Sequence, residues 1–240
     1  MKCIFSYADL NLSHLEEKTR KELANGKYNN YFSEPDITLA AIFGDLDKIK
    51  YLLSKNDFQI DEQDKYGNTA LWNACLFFGR THNNYKLIKL LLDNNANVNH
   101  KCGALKQSPL FVMLGSYLFH NLKNQNNKIQ LIYTINILLK YGANINDQDL
   151  GGNTILILAV EYHKIDLINI LLNENINIRV KNNYEESAID KINKIFFPFL
   201  SHQAQIKAKK KIFDVLTKYK YNSAVFYLFT EYDINIIFNN

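Results

Sequence analysis

Apolar residues along this chain fall into short blocks with helical spacing, each opened by Thr, Ser or Pro and followed by an Asn-rich turn. The openers are Pro35, Thr69, Ser108, Thr154 and Ser187, at separations of 34, 39, 46 and 33 residues. A second marker, a pair of leucines, recurs at Leu52 and Leu53, Leu91 and Leu92, Leu138 and Leu139, and Leu171 and Leu172, with separations of 39, 47 and 33. The two markers agree on register, so the chain is an internal repeat whose long separations are insertions within units. Leucines and isoleucines recur with helical rather than alternating spacing, so each unit predicts a pair of helices and the chain an all-α fold.

Within the units, individual residues have recognisable physical roles. In the second, Gly67 permits a positive φ in the polar turn at 64–68, Thr69 caps the helix that follows, and Ala74 lets a neighbouring helix approach. The fourth repeats this at 149–154, with Leu156, Ala159 and Ile168 behind it. The third offers Ser108 followed by Pro109, at a helix start that tolerates proline, and an exit at 141–146 in which Gly142 suits a left-handed helix terminus. It also carries the largest insertion: 111–122 and 129–139 read as two lengthened helices around a polar loop at 123–127, projecting past their neighbours. A smaller insertion lies at 80–85. The fifth unit runs from Ser187 through Pro198 into a basic helix with Ile206, Ile212, Phe213 and Leu216, predicted to cap the stack. At the other end, Ser13 and Glu16 form a capping-box pattern ahead of a short helix that ends near Gly26, whose Leu15 and Leu23 would cover the first repeat.

The first unit joins Pro35, Ala40, Ala41 and Gly44 to Leu52 and Leu53, and with the turns of the second and fourth it closely resembles the ankyrin repeat. The resemblance covers roughly residues 35–195 and implies a solenoid of about four to five helix-turn-helix units with N- and C-terminal capping helices. It divides the chain into an N-terminal cap at 1–34, a solenoid at 35–220 and an apolar tail at 221–240. Units fall near 35–68, 69–107, 108–153, 154–186 and a degenerate 187–220, together one elongated domain. One departure stands out. The family's Thr-Pro-Leu-His phrase is never complete, and its His position holds Thr38, Trp72, Phe111, Ile157 and Asp190, which predicts apolar packing where the family has inter-repeat hydrogen bonds.

Composition narrows the function. With 47% hydrophobic and 22% charged residues in 240, the chain reads as an ordinary soluble protein, and its longest tail run, 224–229, is far short of a membrane span. The N-terminus shows no Sec-type signal. Cys3, Cys75 and Cys102 lack CxxC spacing, which suits a reducing compartment, and Cys75 reads as a small core residue. The six histidines show no HExxH pair or zinc spacing, and Walker, GxSxG and GxGxxG motifs are missing, so no catalytic, metal or cofactor site is predicted. The formal net charge of +4 collects in Lys207, Lys209, Lys210, Lys211, Lys218 and Lys220, either a solvated capping face or a site for acidic protein, phosphate or anionic lipid. Heavy use of Ile, Asn, Lys, Tyr and Phe points to AT-rich coding; with a eukaryote-favoured repeat, it suits an intracellular bacterium or large DNA virus.

The resemblance implies a non-catalytic, monomeric, cytoplasmic module that binds another protein on a concave face built from hairpin tips and inner helices, with a host-directed role if exported. At the tips it selects Lys65, Tyr66, Leu105, Leu150, Tyr184 and Glu186, with Tyr66 and Tyr184 at one hairpin position and Leu105 and Gly151 as the equivalents between. On inner helices, positions seven and eight after the opener give Ile42 and Phe43, Leu76 and Phe77, and Glu161 and Tyr162. Phe43, Phe77 and Phe78 equally suit packing, and Trp72 is either a packing substitute or an anchor. Asn68, Gln107 and Asn153, each before an opener, either read a partner's backbone or organise the turn. The tail at 223–238 folds back or docks a partner. The alternatives are an enzyme with chemistry in the insertions or tail, and an electrostatic binder of nucleic acid or anionic membrane through the basic helix.

Overall fold

The computed structural model describes residues 36–55, 58–79, 84–103, 105–119, 125–174, 176–194 and 202–222. The capping-box segment at 13–16, Pro35, Pro198 and the tail at 223–238 lie outside them. Among the described residues there are ten helices and no strand, only isolated bridges between Cys102 and Gln107 and between Gln148 and Thr154. The chain divides into two compact units, Met1–Asn144 and Ile145–Asn240.

In the first unit, α1 (Asp36–Phe43), α3 (Ala70–Leu76) and α5 (Pro109–Phe119) pack in succession as an inner layer. Outside them lie α2 (Leu46–Leu53), α4 (Asn84–Asp93) and α6 (Gln125–Lys140). All seven residues of α3 are buried, six of them apolar and the seventh, Asn73, bonded to Asp64 Oδ2 at 3.4 Å, as suits a helix enclosed by neighbours. The outer helices are amphipathic, and Leu52, Leu91, Leu92 and Leu138 of the leucine pairs point into the core. Each fully buried Leu contributes about 1.5–3 kcal/mol, which is where a stack of short helices finds its stability.

The second unit repeats the plan with α7 (Ile155–Glu161) and α9 (Ala188–Lys194) inside and α8 (Ile165–Asn173) and α10 (His202–Asn222) outside. Helix α10 buries Ile212, Phe213 and Leu216 and packs on α8 and α9, while Lys207, Lys210 and Lys211 are exposed. Lys209 is half-buried, and the side chains of Lys218 and Lys220 lie outside the described ones.

Helix ends follow the local chemistry. Thr69 Oγ1 accepts from the Trp72 N–H and Thr154 Oγ1 from the Ile157 N–H, both at 3.3 Å; Ser108 and Ser187 do the same for Phe111 and Asp190 at 3.4 Å. Asp190 completes a reciprocal box by accepting from Ser187 N at 2.8 Å. At the exits, a residue at positive φ turns the chain so that the next N–H reaches back to the helix: Asp45 to Ala40 O, Ala96 to Leu91 O, Ala143 to Leu138 O and Lys164 to Ala159 O, at 2.9–3.1 Å. Glycine supplies that φ at 44 and 142, whereas Asn95 and His163 adopt it with side chains, at 68° and 57°.

The third unit carries longer helices, but the second of them already runs at Gln125, inside the stretch 123–127 read as a polar loop. Helix α5 has 11 residues against 7 or 8 for α1 and α3, and α6 has 16 against 8–10 for α2, α4 and α8.

Candidate partner-binding surface

A single turn design precedes three inner helices. In the first unit Asp64 N donates to Asn68 O and Gly67 N to Asp64 O, both at 2.9 Å, while Asp64 Oδ1 accepts from Tyr66 N and Asn68 N at 2.9 Å. In the second unit Asp149 and Asn153 repeat all four bonds, and Asn182 and Glu186 repeat them again with an amide oxygen in place of the carboxylate. The penultimate residue takes a positive φ each time: Gly67 at 79°, Gly152 at 73° and Glu185 at 59°. The turn before α5 carries an extra residue, so it closes through the Cys102–Gln107 bridge with Lys106 at 53°.

This closure ties the first residue to the third, fourth and fifth and uses no side chain of the second or third. Tyr66 is 52% exposed, Leu150 57% and Tyr184 76%, and Lys65 is exposed with its Nζ 5.0 Å from the Tyr66 ring centre. Leu105 is half-buried. In the second unit the two turns are joined: Asn183 N donates to Gly151 O and Asn183 Nδ2 to Leu150 O, both at 3.0 Å, and Asn182 Nδ2 donates to Asn153 Oδ1 at 2.9 Å. Leu150 and Tyr184 therefore stand on adjacent, hydrogen-bonded tips.

Four of the predicted contact residues are corrected by their burial. Asn68, 1% exposed, donates to Asp64 Oδ2 at 3.1 Å, so it organises the turn. Gln107 is buried in the bridge, and its carbonyl accepts from Trp72 Nε1 at 3.0 Å. Phe77 is buried at the end of α3, with its carbonyl accepting from Asn84 Nδ2 at 2.7 Å. Glu186 is buried against Lys194 and Lys191, the latter at 3.0 Å. The Lys194 and Lys191 ammonium groups hold the Glu186 carboxyl far below its ordinary range, at about 2. Asn153 is half-buried and spends its side chain on Asp149 and Asn182. Glu161 and Tyr162 are half-buried, Glu161 lying 3.7 Å from Lys191.

At the family's His position, Thr38, Phe111 and Ile157 are buried, and the Trp72 indole is buried with its N–H satisfied across to the next turn. Trp72 thus packs in the core and also keeps a hydrogen bond to the next turn, so the expected replacement of inter-repeat hydrogen bonding by apolar packing does not hold there, and Asp190 at the same position is exposed. Ile42 and Phe43 pack partly buried against Leu39, and Phe78 is fully buried. Sequence reasoning missed Asn182 and Asn183; the four-residue spacing shared by 64 and 68, 149 and 153, and 182 and 186 is the signal that finds them. It also passed over the exposed outer-helix residues Tyr51, Ile129, Tyr133 and Tyr141.

Among the described residues no group of three or more His, Cys, Asp or Glu side chains is placed to hold a metal, and no helix is long and apolar enough to cross a membrane. Burial pushes the Cys75 thiol far up and Cys102 up to about 11, which disfavours the thiolate at both.

Stacked helix pairs closed by this turn define an all-α repeat protein of the ankyrin type. Two family models of ankyrin repeats match, over residues 17–102 and 138–192, together more than half of the chain. The first begins inside the segment read as an N-terminal cap. The chain belongs to the ankyrin-repeat family. It is 30% identical over 142 residues to ankyrin repeat protein L86 of Acanthamoeba polyphaga mimivirus, covering 55% of this chain and 24% of that protein. It is 31% identical over 144 residues to FPV031 of Fowlpox virus (strain NVSL), covering 59% and 37%. It is 26% identical over 182 residues to OPG189 of Variola virus, covering 75% and 29%. The matched segments span well under half of these relatives. Ankyrin repeats generally mediate protein–protein contact and are generally not enzymes.

Proposed function

We propose that this protein is a non-catalytic adaptor that grips another protein through its hairpin tips, with Tyr66 and Lys65 in the first unit and Leu150 and Tyr184 in the second as the main contacts. The observation that carries the reading is the exposure of large apolar side chains on turns closed by four internal hydrogen bonds each. Aromatic residues on a rigid scaffold lose little entropy on binding and dominate interface energetics. Tyr162 and Glu161, half-buried at the end of α7, are further candidate contacts in the second unit. The viral origin of the relatives supports a partner from an infected eukaryotic host and action in the host cytosol.

The test is an affinity capture from eukaryotic cell lysate read by mass spectrometry, with wild type beside a Tyr66→Ala, Leu150→Ala, Tyr184→Ala variant of unchanged helicity. A partner captured by wild type and lost by the variant supports the reading. Capture of the same partner at the wild-type level by the variant overturns it.

A further inference from the structure

The leucine pairs align α4 with α6 at an offset of 47, so Asn84 corresponds to Leu131 and α6 begins six residues earlier than its neighbour. That extension adds about 9 Å of helix. It places Ile129, 63% exposed, beyond the register of α4. Further along, α6 buries Leu131, Thr134, Ile135 and Leu138 and turns Tyr133, 47% exposed, outward. The Tyr133 ring meets Tyr85 of α4 edge to face at 5.9 Å between centroids.

The charges on this pair of helices are one-sided. The two helices carry four lysines, Lys86, Lys89, Lys128 and Lys140, and one carboxylate, Asp93, which binds Lys89 at 2.5 Å and the Tyr141 hydroxyl and also feels the charge of Lys140. Lys86, Lys128 and Lys140 make no ion pair among the described residues, and Lys86 lies 5.8 Å from the Tyr85 ring centre. An outer helix needs only polar residues facing water, and isoleucine there is a weaker helix former than lysine or glutamate. Exposed tyrosine and isoleucine on two helices whose four lysines are matched by one carboxylate suit a ligand of opposite charge that also carries apolar side chains.

We propose that the outer face of α4 and α6 is a second docking surface, distinct from the hairpin tips, for an acidic polypeptide segment that places an apolar side chain against Ile129 and Tyr133. A nucleic acid would answer the lysines but leave the aliphatic side chain of Ile129 uncovered.

The experiment pans the full chain against a displayed library of 12-residue peptides rich in Asp and Glu with one Leu, Phe or Trp, then measures enriched sequences as fluorescein-labelled peptides by anisotropy. Two variants remove different halves of the site: Ile129→Ser with Tyr133→Ala, and Lys86→Glu with Lys128→Glu and Lys140→Glu. All five residues are surface positions, and circular dichroism checks the fold. The expected result is enrichment of such peptides and a loss of about tenfold or more in each variant, equivalent to about 1.4 kcal/mol. Affinity falls with added salt, and a Leu150→Ala, Tyr184→Ala variant binds as wild type. No enrichment, or binding unaffected by both outer-face variants, overturns the proposal. Equal, variant-sensitive binding of a 12-nucleotide oligothymidine overturns its commitment to polypeptide. Sensitivity to the tip variant alone returns the site to the adaptor reading, which otherwise stands independently.

Discussion

Gly152 offers a sharp test of how the turns are held together. Its φ is +73°, and a Cβ there would run into Asn183 Oδ1, come within 2.7 Å of the Asn183 nitrogen and lie 3.1 Å from the Asn182 carbonyl carbon. Gly142 has a comparable φ, +88°, but a Cβ there meets nothing within 4 Å. Alanine at either site pays about 1–2 kcal/mol for the left-handed conformation. At Gly152 it also forces the two tips apart and disrupts the Asn183 bonds to Gly151 and Leu150, worth about 0.5–1.5 kcal/mol each, for a total near 3 kcal/mol. Asparagine separates the two causes, because it tolerates positive φ but carries the same Cβ. Gly142→Asn should recover part of the loss seen in Gly142→Ala, whereas Gly152→Asn should recover little. Urea unfolding by far-ultraviolet circular dichroism gives the overall order, and hydrogen exchange at 149–192 should show amide protection falling by about 100-fold in Gly152→Ala. If both Gly152 variants lose no more than their Gly142 counterparts, the turns are not bound to each other as described.

Three further outcomes follow from buried groups. Trp72→Phe removes an indole N–H that satisfies Gln107 O at 3.0 Å and leaves a small void, so thermal unfolding should show a loss of about 2 kcal/mol; a loss below about 0.5 kcal/mol contradicts the buried bond. The folded Glu186 pKa, about 2, lies below its ordinary 4.5, so its ionised form stabilises the fold above 4.5 and that contribution disappears as pH falls through 2. Urea midpoints of Glu186→Gln measured between pH 4.5 and 2 should therefore fall less steeply than those of wild type, and parallel curves refute the assignment. Iodoacetamide at pH 8, read by mass spectrometry, should leave Cys75 and Cys102 largely unlabelled in the native protein and label both in urea; rapid native labelling refutes their burial.

The repeat register was legible because it rests on local chemistry. Thr69, Thr154, Ser108 and Ser187 cap the helices that follow them, Gly67 and Gly142 adopt positive φ, and His163 does so at a position where glycine is usual. Each effect is contained within about five residues, so the sequence displays it directly. The lengthening of α5 and α6 was legible for a related reason, since an insertion between fixed markers has to be housed somewhere. Exposure was less legible. Phe77 and Tyr162 stand at the same distance from their openers, yet Phe77 is buried and Tyr162 half-buried, because burial is set by residues of neighbouring repeats. Asn68, Gln107 and Glu186 are polar and sit in turns, which suggested surface roles. Their side chains or backbones are instead drawn into closing the turn.

That closure bears on how such a chain acquires a partner. In α3 all seven side chains are buried, and in α7 the run 155–160 is buried, so substitutions on these inner helices disturb packing. The first, fourth and fifth turn residues are equally constrained, by the paired bonds, the positive φ and the side-chain contacts of Asp64 and Asn68 or their equivalents. The side chains of the second position, and of Tyr66 and Tyr184 at the third, lie outside both duties, whereas a Cβ at Gly151 would come within 2.8 Å of Asn153 Nδ2. The second and third positions vary as Lys65 and Tyr66, Leu150 and Gly151, and Asn183 and Tyr184, so chemistry changes there while the turn is kept. Asn183 uses that freedom to tie its turn to the one before it, and Tyr184 beside it uses the same freedom to face solvent. Neighbouring residues of one short turn therefore differ in what they do, Asn183 holding two turns together while Tyr184 stays exposed.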